Sequence, residues 1–147
     1  MNLLKGNKYV FDTTVYIDAL RGEPKYKQLT QKLIFQARFN RIPAGYSIVT
    51  ELELWRGIKG LWTIEEHEAL LRPMRRYPLL VRTAKRAGSI RSLLDQKAQK
   101  NQGPGMFDCV IAATAEYYEL VLITRNAKDY QMILDHSIAN IQIEDYK

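Results

Sequence analysis

Residues 106–126 read MFDCVIAATAEYYELVLITRN, and this stretch decides the fold. Its first part has the periodicity of an α-helix and is rich in alanine, whereas residues 120–124 form a short apolar run that is typical of a buried strand. Asp108 stands in the first turn of the predicted helix, and small alanine side chains allow that helix to lie close to a sheet. We therefore expect a helix packed on a sheet, with Asp108 held rigidly over the strand ends.

Helical and strand patterns alternate along the rest of the chain. Strand-like runs occur at residues 9–11, 46–49, 79–81 and 138–143. Helical runs begin at residues 13, 24, 50, 63, 83 and 127, and the one from 83 to 100 is strongly basic. Such alternation favours a parallel sheet flanked by helices, in which ligands bind at the carboxyl ends of the strands. The predicted fold class is therefore α/β.

Length and composition indicate one folded domain over residues 1–147. Hydrophobic residues make up 46% of the chain and charged residues 26%, which disfavours disorder and a fibrous architecture. The apolar runs are short and the N-terminus lacks the apolar core of a signal peptide, so we expect no membrane contact. Cys109 is the single cysteine and is predicted to be a buried thiol, which excludes a disulfide framework and favours a reducing compartment such as the cytoplasm.

The positive charge of the chain is concentrated in one segment. The formal net charge is +6, and residues 72–100 carry nine Lys or Arg against one acid, Asp95. Such a cluster is typical of a surface that binds the phosphate backbone of a nucleic acid, but a solvated helix face gives the same pattern. Charge does not separate RNA from DNA, because both polymers present the same phosphates. The basic residues of the segment are Arg72, Arg75, Arg76, Arg82, Lys85, Arg86, Arg91, Lys97 and Lys100.

Three carboxylates are predicted to meet at one edge of the sheet. Asp12 ends the first strand, Glu53 lies one turn into the helix after the second strand, and Asp108 begins the helix before the third clear strand. Oxygen ligands without nearby His or Cys suit a hard cation, Mg²⁺ or Mn²⁺, better than zinc. His67 and His136 lack metal-ligand spacing and are predicted at the surface. Each acid also has a structural interpretation of its own, as a helix cap, a surface residue or a first-turn acid.

Four short segments, taken together, resemble a known family. They are FDT at residues 11–13, TELELWRG at 50–57, DCVIAATA at 108–115 and LITRN at 122–126. In that order they look like the four motifs of PIN-domain ribonucleases of the VapC toxin type, and the resemblance spans nearly the entire chain. It implies a PIN-like three-layer α/β/α fold with a central parallel sheet and a protruding helical hairpin, and a metal-dependent endoribonuclease as the activity. It further implies a homodimer and a cognate antitoxin.

The resemblance assigns roles to individual acids. Metal binding falls to Asp12, Glu53 and Asp108, with Thr13 orienting the first carboxylate through its hydroxyl. Glu51 is the rival of Glu53 for the second position. Glu53 is preferred because the family spacing places the acid three residues after a Thr and four before a Gly, which this segment satisfies.

The fourth motif departs from the most acidic form of the family pattern. Asn126 stands where many members carry a fourth Asp, so it joins the three acids in the predicted catalytic set without adding charge. An amide would hold a second metal ion more weakly, and Asp129 could supply the carboxylate or simply cap the helix that follows. Whether one metal ion or two operate stays open. Thr124 and Arg125 are candidates for supporting the ligands or contacting phosphate.

These residues lead to one functional hypothesis and two alternatives. The hypothesis is in-line attack by a metal-activated water on an RNA phosphodiester, where the preference for RNA comes from the resemblance. One alternative is a nucleic-acid-binding module of the same fold with weak catalysis, which the absent fourth acid would allow. The other is a phosphatase or phospho-acceptor domain, which requires a second Asp where Thr14 stands and a late lysine, for which Lys128 is the candidate.

Two further regions have open interpretations. The predicted helical hairpin over residues 50–72 carries several leucines, which could form a dimer interface or complete the core. Trp55, Trp62 and Tyr77 could stack on unpaired bases or pack in the core.

Overall fold

Five short parallel strands form the centre of the protein. The computed structural model describes Leu4, residues 7–98 and residues 102–147. β1 lies in the middle of the sheet and pairs with β2 on one side and β4 on the other, which creates a topological switch point. In spatial order the strands are Arg75–Tyr77 (β3), Ala44–Ser47 (β2), Tyr9–Phe11 (β1), Val121–Thr124 (β4) and Gln142–Asp145 (β5).

Helices cover both faces of this sheet. In the part of the chain that the structure describes they are Thr13–Arg21 (α1), Pro24–Phe39 (α2), Ile48–Trp55 (α3), Ile64–Leu71 (α4), Val81–Lys97 (α5), Met106–Tyr118 (α6) and Ala127–Asp135 (α7). α5, α6 and α7 pack with Val10 and Leu122 on one face, and α1, α2 and α4 with Tyr9, Phe11 and Ile123 on the other. Both faces of the central strands are therefore buried, as a parallel sheet requires. The predicted three-layer α/β/α class is confirmed.

Several helix boundaries follow signals in the sequence. Thr63 and Glu66 form a capping box at the start of α4, because Thr63 Oγ1 accepts a hydrogen bond from the Glu66 N–H (3.1 Å) and Glu66 Oε1 accepts one from the Thr63 N–H (3.2 Å). Pro24 is the first residue of α2, where its fixed φ suits a helix start. α6 and α7 have the bounds that the periodicity predicts.

The two edge strands differ from the prediction. The third strand is Arg75–Tyr77, whereas residues 79–81, predicted as a strand, lead into α5. The two arginines of this strand are exposed and only its tyrosine is buried. An edge strand with a single buried residue has no alternating apolar pattern that the sequence could reveal. The last strand is Gln142–Asp145 rather than residues 138–143, and its residues are likewise exposed or half-buried.

Two other boundaries shift by a few residues. β2 ends at Ser47, and α3 begins at Ile48 rather than at the predicted Thr50. The reason is a cap, since the Ser47 hydroxyl accepts a hydrogen bond from the Val49 N–H (3.4 Å). α5 ends at Lys97 and Ala98 is its extended C-cap, so the predicted continuation of the helix is wrong at Ala98. Residues 99 and 100 of the prediction lie outside the described residues.

Burial decides the interpretation of several side chains. Trp62 and Tyr77 pack in the core, whereas Trp55 is 52% exposed. The prediction that His67 lies at the surface is wrong, because it sits on the inward face of α4 and is 1% exposed. Cys109 is a buried free thiol, as predicted.

α3 and α4 form the predicted helical hairpin. The turn between them is held by the Trp62 indole, whose Nε1 donates a hydrogen bond to the Leu54 carbonyl (2.9 Å). None of the helices in the described ranges is both long enough and apolar enough to cross a lipid bilayer.

Candidate active site

The three predicted ligands lie at the carboxyl edge of the sheet. Asp12 directly follows β1, and its backbone N–H extends the pairing with β4 by donating to the Ile123 carbonyl (2.9 Å). Glu53 is carried by α3 and Asp108 by the first turn of α6. Three separate elements therefore deliver one carboxylate each to the switch point of the sheet.

The Asp12 carboxylate is buried and fully oriented by hydroxyl groups. It is 3% exposed. Its Oδ2 accepts hydrogen bonds from the hydroxyls of Thr124 (2.8 Å) and Thr14 (2.9 Å), and its Oδ1 accepts one from the Tyr130 hydroxyl (2.9 Å). Asp12 occupies the N-cap position of α1, yet its side chain makes no capping hydrogen bond. The prediction that the Asp12 side chain caps the helix is therefore wrong, because its oxygens accept hydrogen bonds from Thr14, Thr124 and Tyr130 instead.

Glu53 is oriented by the residue that was predicted to orient Asp12. The Thr13 hydroxyl donates to Glu53 Oε1 (2.7 Å) and lies 2.8 Å from the Thr50 hydroxyl. The role predicted for Thr13 is thus corrected, because Thr14 and Thr124 hold Asp12 instead. Burial raises the pKa of Glu53, the hydrogen bond from Thr13 lowers it, and the charge of Asp12 raises it further.

Asp108 shows most clearly that the acids repel one another. Burial, followed by the charges of Asp12 and Glu53, raises its pKa to about 6. The Tyr130 hydroxyl is 3.3 Å from Asp108 Oδ1 and partly offsets this shift. Carboxylates that raise one another's pKa are stabilised when a cation binds between them.

The cluster fits a hard divalent cation in its chemistry, although its side chains do not form a closed ligand set. Within residues 4, 7–98 and 102–147, no three His, Cys, Asp or Glu side chains stand close enough together, as placed, to hold one ion. The donors at the cluster are carboxylate and hydroxyl oxygens, the ligand type of Mg²⁺ and Mn²⁺.

The fourth motif lies at the end of β4 and is internally bonded. The Asn126 N–H donates to the Thr124 hydroxyl (2.9 Å), and its side-chain amide donates to Asp129 Oδ2 (2.8 Å). Asp129, which was predicted to supply the carboxylate that Asn126 lacks, therefore accepts a hydrogen bond from the Asn126 amide.

Arg125 has a structural partner. Its guanidinium makes two hydrogen bonds to the buried carboxylate of Asp18, at 2.7 and 3.0 Å, and lies 5.0 Å from the centre of the Tyr26 ring. The pair is reinforced by the Tyr146 hydroxyl, which donates to the same carboxylate (2.8 Å). A phosphate contact from Arg125 would compete with these bonds, so the predicted phosphate role loses support.

Part of the basic segment also serves the fold. Arg86 pairs with Glu116 of α6 (2.6 Å) and donates to the Ile138 carbonyl (2.8 Å). Arg91 pairs with Asp95 (3.0 Å) and donates to the Pro104 carbonyl (2.6 Å). These bonds fix α5 to its neighbours. The members that stay exposed among the described residues are Arg72, Arg75, Arg76, Arg82, Lys85 and Lys97.

Glu51 belongs to a different group of side chains from Glu53. Its carboxylate accepts a hydrogen bond from the Tyr46 hydroxyl (2.8 Å) and lies 3.5 Å from His67 Nε2 and 3.8 Å from Arg76 Nε. This environment provides the carboxylate with its own donors, which supports the choice of Glu53 over Glu51.

Tyr130 is the contact that the sequence interpretation missed. It lies on the inward face of α7 with Ile133 and is fully buried, and its hydroxyl reaches both Asp12 and Asp108. A signal was present in the sequence, because Tyr130 follows Asn126 by one helical turn and belongs to the apolar stripe of that helix. A tyrosine on a buried stripe needs a polar partner for its hydroxyl.

Comparison with known proteins identifies the family. The PIN domain family profile matches residues 9–132. The chain therefore belongs to the PIN domain family, and the predicted nuclease class is confirmed. No curated protein matches the chain.

Several solved structures share the fold. A toxin-antitoxin complex from Klebsiella pneumoniae matches at 25% identity and a TM-score of 0.62, covering 84% of this chain and 90% of that one. DNA-bound VapBC from Salmonella typhimurium matches at 22% identity and a TM-score of 0.73, covering 96% and 99%. VapBC-5 from Mycobacterium tuberculosis, of the VapBC family of toxin-antitoxin systems, matches at 22% and 0.62, covering 95% and 98%. These matches confirm the PIN-like fold that the resemblance implied.

Proposed function

We propose that this protein is a Mg²⁺- or Mn²⁺-dependent endoribonuclease that acts in the cytoplasm as the toxin of a toxin–antitoxin pair. Membership in the PIN domain family supplies the nuclease class. The observation that carries the proposal is the acidic cluster, in which Asp12 and Asp108 share the Tyr130 hydroxyl (2.9 and 3.3 Å) and Glu53 is bonded to Thr13, the residue next to Asp12 (2.7 Å). Three mutually repelling carboxylates at the switch point of a parallel sheet are a reason for a cation to bind there.

The residues of the cluster have distinct tasks in this proposal. Asp12, Glu53 and Asp108 would hold the ion. Bound there, Mg²⁺ or Mn²⁺ supplies the Lewis acidity for hydrolysis of a phosphodiester. The hydroxyls around Asp12 keep one ligand fixed before the ion arrives, which limits the rearrangement that binding requires. Asn126 and Asp129 are assigned to the fourth position as a hydrogen-bonded pair.

RNA is the proposed substrate on the strength of the family resemblance, and the exposed basic residues suit the phosphate backbone of either nucleic acid. Arg75, Arg82 and Lys85 are exposed on β3 and at the start of α5. They would contact backbone phosphates, which position a nucleic acid without reading its sequence. Arg125 is left out of this set because Asp18 holds its guanidinium.

A cognate antitoxin and a second copy of this chain are the proposed protein partners. The similar Klebsiella pneumoniae structure is described as a toxin-antitoxin complex. Apolar side chains that solvent reaches on the α3–α4 hairpin provide surface for such contacts, namely Leu52, Trp55, Leu61 and Ile64. Exposed apolar groups concentrated on one element are typical of interaction surfaces.

The test is cleavage of total cellular RNA and of single-stranded DNA by purified protein with Mg²⁺ or Mn²⁺. We expect discrete RNA fragments that disappear with EDTA and in the Asp12→Asn/Asp108→Asn variant. Glu53→Gln and Glu51→Gln form a matched pair on the same helix. The first should lower the rate by roughly 10³-fold, as loss of several kcal/mol of metal-ion stabilisation predicts, and the second should leave the rate within a few-fold.

The same assay separates the runner-up function. RNA binding without cleavage, in protein that is folded and supplied with metal, would favour a nucleic-acid-binding module with weak catalysis. Cleavage that survives in the folded Asp12→Asn/Asp108→Asn variant would remove the acidic cluster from the reaction altogether.

A further inference from the structure

One hydroxyl stands between two of the acids. The Tyr130 hydroxyl is 2.9 Å from Asp12 Oδ1 and 3.3 Å from Asp108 Oδ1. A phenol has a single hydrogen to donate, so the two carboxylates share one donor. The position of this oxygen therefore influences both carboxylates at once.

The ring of Tyr130 cannot easily move away. It is 0% exposed and belongs to the core cluster that includes Ile133, Leu122 and Ile111. Buried side chains at native packing density keep one rotamer, because a shift of the ring would require its neighbours to move too. Packing on α7 thus fixes the hydroxyl, and the hydroxyl in turn restrains Asp12, which follows β1, and Asp108 of α6.

The Tyr130 hydroxyl acts on one particular oxygen of Asp12, because the other hydrogen bonds of this carboxylate go to its other oxygen. A carboxylate offers about four acceptor sites. Thr14 and Thr124 contact Oδ2, and Tyr130 contacts Oδ1, so Oδ1 is the oxygen with a site left for a cation. Tyr130 therefore touches the atom through which Asp12 would bind an ion.

We infer that Tyr130 is a positioning residue of the acidic site, whose hydroxyl restrains Asp12 and Asp108 relative to each other and so favours the binding of a divalent cation. This inference rests on the proposed metal-dependent function and adds to it a residue outside the four motifs. Groups that orient metal ligands by hydrogen bonds raise the affinity for the ion because less rearrangement accompanies binding.

The test compares two buried tyrosines that each lose one hydroxyl. Tyr130→Phe removes the shared donor and keeps the ring. Tyr16→Phe is the matched control, since Tyr16 is also 0% exposed and its hydroxyl donates to the Gly45 carbonyl (3.3 Å) instead of to an acid. Mn²⁺ binding is measured by isothermal titration calorimetry on metal-free full-length protein. We expect the Kd of Tyr130→Phe to rise roughly 10-fold or more and that of Tyr16→Phe to stay within about twofold.

A kinetic measurement on the same variants separates positioning from general damage. For Tyr130→Phe, the Mn²⁺ concentration that gives half-maximal RNA cleavage should rise about as much as the Kd, while kcat at saturating Mn²⁺ recovers most of the wild-type value. For Tyr16→Phe, the half-maximal concentration should not change.

Each outcome decides the inference. Equal Mn²⁺ affinity in the two variants, or tighter binding in Tyr130→Phe, would overturn the role of Tyr130 while leaving the proposed function intact. Absence of Mn²⁺ binding by wild-type protein would overturn both. If Tyr130→Phe does not fold, a crystal structure of the Mn²⁺-bound wild type decides: the hydroxyl within hydrogen-bond distance of both aspartates supports the inference, and its displacement from them contradicts it.

Discussion

Two buried carboxylates near the two ends of one helix are held in opposite ways. Asp12 directly precedes α1 and is 3% exposed, and Asp18 lies within α1 and is 2% exposed. Asp18 receives two hydrogen bonds from the Arg125 guanidinium (2.7 and 3.0 Å) and one from the Tyr146 hydroxyl. Asp12 receives three from neutral hydroxyls, and the charges of Asp12 and Glu53 raise the pKa of the neighbouring Asp108.

The difference separates an acid that is paired within the fold from one that the proposed function assigns to a metal site. A buried charge is tolerated when it is paired and hydrogen bonded. The positive charge that pairs with Asp18 is the guanidinium of Arg125. The hydrogen-bond donors of Asp12 are all neutral hydroxyls. A ligand that binds the folded state and relieves such repulsion also stabilises that state.

The largest expected effect comes from breaking the paired acid. Asp18→Asn should lower the free energy of unfolding by about 3 kcal/mol, because it deprives a partly buried guanidinium of its counter-ion. Asp108→Asn should leave the free energy of unfolding unchanged or raise it, because it removes one of three repelling charges. Urea denaturation of the metal-free proteins at pH 7 measures both. Equal destabilisation by the two substitutions would erase the distinction between structural and functional carboxylates.

A smaller effect is expected from pH. The pKa of Asp108 in the folded protein is about 6, above its ordinary value of 3.8, so the folded state binds this proton more tightly than the unfolded chain does. Its contribution to the free energy of unfolding therefore falls as the pH rises from about 4 to about 6, by roughly 1–2 kcal/mol after allowance for partial exposure, and stays low above that range. Glu53, whose pKa is also raised, acts in the same direction.

Metal-free wild type and Asp108→Asn, denatured with urea at pH 4.5 and pH 7, isolate this contribution. The wild type should lose more stability between the two pH values than the variant does. A variant that loses as much as wild type would mean that Asp108 is not held in a repulsive environment.

The smallest expected effect on the free energy of unfolding comes from breaking the half-buried ion pair between Arg86 and Glu116. Arg86 and Glu116 are 31% and 29% exposed, so Arg86→Gln should lower the free energy of unfolding by about 1 kcal/mol. Lys85→Gln, at the exposed neighbouring position, should change stability by less than about 0.5 kcal/mol and instead weaken RNA binding and its salt dependence. Thermal denaturation measures the stability of the two variants, and RNA titration at two salt concentrations measures their RNA binding. The reverse pattern would place the nucleic acid on the other side of α5.

Sequence patterns predicted the buried parts of the fold and missed those that non-local pairing decides. β1, α6 and α7 carry strong local signals, because their residues are buried on inward faces or end at clear breakers. β3 and β5 become strands through pairing with β2 and β4 at the sheet edges. Half-exposed edge strands need little apolar surface, so their sequence alone does not reveal them.

The site divides in the same manner. Asp12, Glu53 and Asp108 could be named because each stands at a recognisable position on its own element. Their donors could not be assigned, since Thr124 and Tyr130 reach Asp12 from the far end of the chain and Thr13 turns to Glu53 instead. His67 was wrongly predicted at the surface for a related reason. The residues that bury its ring lie in other elements, so the sequence around position 67 does not reveal them.

The distance along the chain between Asp12 and its hydrogen-bond donors has a consequence for synthesis. Thr124 and Tyr130 follow Asp12 by 112 and 118 residues. On the ribosome, β1 therefore emerges long before β4 and α7 exist, and non-local pairings of this kind form late. A nascent chain that stops short of α7 already contains Asp12, Glu53 and Asp108 but lacks Tyr130, whose hydroxyl bonds to Asp12 and Asp108. The hydrogen-bonded arrangement of these acids can therefore form only after α7 has left the ribosomal exit tunnel, and under the proposed function the site becomes competent no earlier than that.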